Sequence, residues 1–176
     1  KYLTTKLKLK VNEQKSAVAR PWERKFLGFT FGKEKESGKI KIHESRVKRL
    51  KDKIRGLTKK MRGNNVSESI QKVIMPITRG WANYFGTAEV QWPFKNLDGW
   101  IRRKIRAIFW RQWKNPRTRC KKLMALGLKR DKAKDWANSS KGPWRMAVTA
   151  GMHKALSKSV IEARGYIPMM TLVGAR

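Results

Sequence analysis

With 176 residues, 44 of them Lys or Arg against 12 Asp or Glu, the chain carries a formal net charge of +32 and needs a polyanion to relieve its self-repulsion; a phosphate backbone, which releases condensed counterions when neutralised, is the usual one. A membrane surface is the rival polyanion, but no run approaches the roughly 18 apolar residues of a membrane span and no signal-peptide core opens the chain, so spanning and export are both disfavoured and no membrane partner is expected. Yet 40% of the residues are hydrophobic and eight are Trp, too much apolar material for a disordered basic tail, and the cations spread along the whole length put the binding surface into the fold itself.

Residues 1–43 read as β. Leu7, Leu9 and Val11 alternate with Lys8 and Lys10; Phe26-Leu27-Gly28-Phe29-Thr30-Phe31 forms a second run; Lys39-Ile40-Lys41-Ile42-His43 alternates again after a charged turn. The second and third runs predict a hairpin that needs something to pack on.

From Ser45 the period becomes helical. Val47, Leu50, Ile54, Leu57 and Met61 make one apolar stripe, surrounded by basic residues that include Lys51 and Lys59, and Gly63-Asn64 ends the helix. Asn65, with Glu68 three residues on, predicts the cap of the next helix, whose apolar face carries Ile70, Val73, Ile74, Ile77, Trp81, Tyr84 and Phe85; Pro76 should kink it and Gly86 close it. A third helix over 97–114 sets Leu97, Ile101, Ile105, Ile108 and Phe109 on a core side. Arg102, Arg103, Arg106, Trp110 and Trp113 fall on the opposite one. Stacking of bases between guanidinium planes and indoles is one reading of that second set, and packing of Trp110 and Trp113 under a later segment is the other.

Shorter helices around Leu123, Trp136 and Leu156 follow, broken at Pro116, at Gly127 and over 138–143. The expected architecture is mainly α: a short N-terminal β segment followed by a basic helical bundle. A single cysteine, Cys120, and two isolated histidines, His43 and His153, provide neither a disulfide framework nor a zinc-ligand cluster, which points to a reducing compartment.

Several stretches resemble group II intron reverse transcriptases with their maturase region. Leu7-Lys8-Leu9-Lys10-Val11-Asn12 with Lys15-Ser16 looks like the late palm motif, and Phe26-Leu27-Gly28-Phe29 is similar to the primer-grip strand after it. Arg79-Gly80-Trp81-Ala82-Asn83-Tyr84-Phe85 resembles the maturase core, and Gly142-Pro143-Trp144-Arg145 with Gly165-Tyr166-Ile167-Pro168 resembles the closing segment. The resemblance implies that residues 1–43 are the end of a palm and 44–176 a thumb and maturase-specific domain. It implies that Phe26, Leu27, Gly28 and Phe29 hold a primer end, that Lys15 lies near a nucleotide, and that group II intron RNA and an RNA template with its DNA primer are the partners. Arg79, Asn83 and Arg145 join Arg102, Arg103, Arg106, Trp110, Trp113, Lys51 and Lys59 as candidate RNA contacts. It also implies a bacterial cytoplasm or an organellar matrix.

One departure limits this. No Asp-Asp pair or acidic cluster is present, so this chain should not polymerise DNA alone, and Mg2+ is expected only in a full-length polymerase with its palm and fingers. No catalytic residue and no metal ligand is assigned. The rival reading is a generic basic structural protein that holds nucleic acid by charge alone, with Trp110 and Trp113 buried.

Overall fold

The computed structural model describes residues 2–8, 10, 12, 18–33, 38–61 and 65–175. Among them the chain is mainly helical, with a two-stranded antiparallel hairpin ahead of the long helices, as the patterning predicts.

Strand β1 (Phe29–Phe31) pairs with β2 (Ile40–Ile42) in the register Phe29 to Ile42 and Phe31 to Ile40. The Phe29–Ile42 end meets the helices, where Ile42 is buried; the Phe31–Ile40 end is exposed. The strand expected over 26–31 starts only at Phe29. Phe26 and Phe29 exchange two backbone hydrogen bonds of 3.0 and 2.9 Å across Leu27 and Gly28, whose φ values of 52° and 93° are both positive, as a type I′ turn requires. A Cβ on Gly28 would lie 2.8 Å from Arg46 Nε, so both conformation and space select glycine there.

The first expected strand is not formed among the described residues. Tyr2–Thr5 make a single helical turn, α1, Leu7 lies in an exposed bend, and Lys8 has a left-handed φ of 51°; Leu9, Val11 and Lys15 lie outside the described residues. A strand needs a partner for its N–H and C=O groups, and the sheet that the described residues form contains β1 and β2 alone.

Helix α2 (Glu44–Lys60) is started by His43, whose Nδ1 accepts from Ser45 N, and it buries Leu50 and Ile54 on the predicted stripe. Asn65 caps α3 (Val66–Ser69) by accepting from Ser67 N at 3.0 Å. The irregularity expected at Pro76 takes the form of a wide π turn over Ile70–Ile74, in which Met75 N–H reaches back to Ile70 O. It lets the chain enter α4 (Met75–Phe85) although Pro76 has no N–H to donate. The loop after α4 returns to the hairpin, Glu89 accepting from Ile40 N and donating its own N–H to Ile40 O.

Helix α5 (Trp92–Gln112) is longer at its start than the pattern over 97–114 suggests, because Pro93 suits a first helical turn. It is the axle of the fold, packing against α2, α3, α8 (Pro143–Met146), α10 (Lys158–Glu162) and α11 (Met169–Gly174). Helices α6 (Pro116–Ala125) and α7 (Arg130–Ala137) form a hairpin, and α9 (Ala150–Ala155) packs on α7. Asp98 fastens the end of the chain to α5. Only 2% exposed, it accepts from Tyr166 Oη at 2.6 Å, Met169 N at 2.9 Å and Met170 N at 3.2 Å, so the first amides of α11 and a buried phenol share one carboxylate.

Candidate nucleic-acid interface

The stripe that buries α2 leaves cations on both of its flanks. On one flank Lys51 and Arg55 lean over the ring of Trp100 from α5, with Lys51 Nζ at 5.9 Å and Arg55 Cζ at 5.5 Å from the ring centroid. One turn along α5, Lys104 Nζ lies 5.5 Å from the same ring and 5.1 Å from the ring of Trp144, the second residue of α8. Arg103 completes the row: its Cζ lies 3.9 Å from the Trp144 centroid while Nε and Nη2 donate to Trp144 O at 3.2 and 3.0 Å. Trp100 is half-buried and Trp144 is 37% exposed, so each keeps ring surface open to solvent.

These cations crowd one another. Partial burial, followed by the neighbouring charges of Arg55, Arg111 and Lys59, pulls the Lys104 ammonium below its ordinary range. Asp52, paired with Arg55 Nη1 at 2.6 Å on the surface, is the carboxylate that meets the row. Unrelieved positive charge beside partly open indoles is a surface that a phosphate strand with unstacked bases would satisfy.

The expected outward face of α5 needs correction. Trp110 is fully buried, Trp113 is 6% exposed and Arg106 is 4% exposed, so none of the three can stack on a base in this fold. Helix α5 has no free side at that level. Arg106 Nε donates to Leu156 O at 2.8 Å, and Arg119 from α6 lies over Trp110 at 4.5 Å while its Nε donates to Trp113 O. Burial, followed by the Arg102 charge, lowers the pKa of the Arg106 guanidinium. The Trp110 indole N–H has no hydrogen-bond partner among the described residues, so its seat rests on packing and on the Arg119 guanidinium over its ring. That burial is what the charge-only reading foresaw; the half-open Trp100 and Trp144 are what it did not.

The other candidates divide by position. Lys51 stands in the row and Lys59 is exposed on the same helix. Arg102 is half-buried on α5, and Arg145 is exposed beside Trp144. Arg79 and Asn83 are exposed on α4, which contributes no residue to the row's ring contacts. Of the turn residues, Phe26 and Leu27 are exposed, Gly28 is buried and Phe29 packs on Tyr84 and Phe85.

Trp100, Lys104 and Arg55 were legible but unread: Arg103 and Lys104 follow Trp100 by three and four residues, the spacing of neighbours on a helix surface. Trp144 came near them only through the tertiary fold. Among the described residues no group of His, Cys, Asp or Glu could hold a metal ion, and no helix is long and apolar enough to cross a membrane.

Residues 47–127 match the family model of the group II intron, maturase-specific domain, a span that runs from α2 through the end of α6. No curated protein matches the chain.

Proposed function

We propose, from the match of residues 47–127 to the group II intron, maturase-specific domain, that the chain clamps folded intron RNA and stabilises its splicing-competent structure. The row of Lys51, Arg55, Trp100, Lys104, Arg103 and Trp144 carries this reading, because it combines phosphate neutralisation with ring faces for splayed bases. The protein's part is positional. Lys and Arg lower the repulsion between phosphates that a compact ribozyme brings together, and the indoles fix unpaired bases in place, while the RNA supplies the reacting groups. No side chain here serves as acid or base.

We further propose that residues 44–176 act as one thumb and maturase unit, and that the same basic surface grips a template and primer duplex when a polymerase palm is present. The exposed Phe26, Leu27, Phe31 and Ile40 of the hairpin are the apolar face such a palm would cover.

The test is splicing of a group II intron at a magnesium concentration too low for efficient self-splicing. Added protein should accelerate it, and a Trp100→Ala, Trp144→Ala double variant that melts like the wild type should lose most of the acceleration. Equal acceleration by both proteins would leave the row without a role.

A further inference from the structure

The opposite flank of α2 faces a second feature, a cleft between α2 and α4 of about 550 Å³, within the range of small-ligand sites. Its wall from α2 carries three cations, Arg46, Arg49 and Lys53. Its wall from α4 is apolar and aromatic: Pro76, Ile77, Trp81 and Tyr84, with Gly80 among them. No carboxylate lines it.

The aromatic wall is held rigid. Tyr84 stacks on Phe29 at 5.9 Å and meets Phe85 edge-on at 4.7 Å; Trp81 packs on Phe85 at 4.8 Å and on Phe94 at 5.3 Å. The Tyr84 hydroxyl is tied down by donating to Leu27 O at 2.9 Å, yet the residue remains 52% exposed. Gly80 keeps the mouth open: nothing lies within 4 Å of where its Cβ would stand, so packing does not demand glycine at this exposed place in a helix. An apolar, aromatic wall facing a cationic one is the chemistry of a nucleotide, with the base on one side and its phosphate on the other.

We propose that the α2–α4 cleft binds one unpaired nucleotide of a single-stranded RNA segment, its base against Ile77, Trp81 and Tyr84 and its phosphate against Arg46, Arg49 and Lys53. This rests on the reading of the chain as an RNA-binding module and adds a site on the flank of α2 away from Trp100. It gives the protein a grip on an unpaired strand apart from the row that meets the folded RNA.

The experiment uses a short unstructured RNA carrying one photoreactive thiouridine, with binding and cross-linking measured on the full chain. Cross-links should map to residues 76–84. Gly80→Leu, which fills the mouth, should weaken this RNA about tenfold, the scale of one lost stacked base. Gly174→Leu, which adds the same side chain to an exposed glycine of α11 with open space around it, should leave binding unchanged. A fully folded Gly80→Leu that binds and cross-links like the wild type overturns the cleft while leaving the RNA-binding reading intact. Failure of the wild type to bind either this RNA or a folded intron overturns both.

Discussion

Asp98 and Trp144 show how differently single residues serve this protein. Asp98 sits on the apolar side of α5, three residues before Ile101, and holds the Tyr166 phenol and two amides of α11 out of water. Tyr166→Phe removes one charge-assisted hydrogen bond and should cost about 1.5–3 kcal/mol in denaturant unfolding. Burial first, and the Asp98 carboxylate second, push the Tyr166 phenol well above its ordinary range. A tyrosine in the unfolded chain releases its proton near pH 10, so the folded protein holds a proton that the unfolded chain gives up. The stability from this group is therefore complete below about pH 10 and is lost as the pH rises beyond it. Tyr166→Phe should flatten that alkaline fall relative to wild type. The tryptophans divide by the same logic: Trp110→Ala opens a cavity and should cost about 3–5 kcal/mol of stability. Trp144→Ala should change stability little and weaken RNA binding by about 1–3 kcal/mol per stacked base; equal stability losses for the two would erase the distinction. The wheel of α5 could not show that Trp110 is buried, because what covers Arg106 and Trp110 comes from Leu156 and Arg119, which are distant in sequence or beyond the helix end.

At the scale of elements, the helices were legible where a capping or breaking residue marks them. Asn65 and Pro116 stand where α3 and α6 begin, and the stripe of Leu50 and Ile54 is the buried face of α2. The β segment was legible only as the hairpin, since Leu27 and Gly28 form a turn that alternation alone does not reveal and the Leu7 run finds no strand to pair with among the described residues. Helix seating makes a test with opposite signs. Gly80→Ala in α4 meets open space and should stabilise the protein by about 0.5–1 kcal/mol, the ordinary gain for an exposed helical glycine. Gly151→Ala in α9 places its Cβ 2.6 Å from the Trp136 ring, which must move, so the gain is overturned and a net loss of about 1–3 kcal/mol is expected. Thermal melts of the two variants read both signs directly.

For the whole molecule, the net charge of +32 guarantees affinity for any polyanion, so affinity alone says little about function. Charge and the maturase resemblance were legible in the residues; the meeting of Trp100 and Trp144 at Lys104 was not, because it requires α8 to return to α5. Lys51→Ala and Lys59→Ala should weaken all RNAs alike, each flattening the slope of log affinity against log salt by about one unit if its phosphate contact is lost. The most direct measurement is the affinity of the chain for a folded group II intron RNA and for an unstructured RNA of equal length across a salt series. A maturase module predicts that a clear preference for the intron persists at physiological salt, where non-specific contacts have weakened. Equal affinities that vanish together as salt rises would contradict it and leave a protein that holds nucleic acid by charge alone.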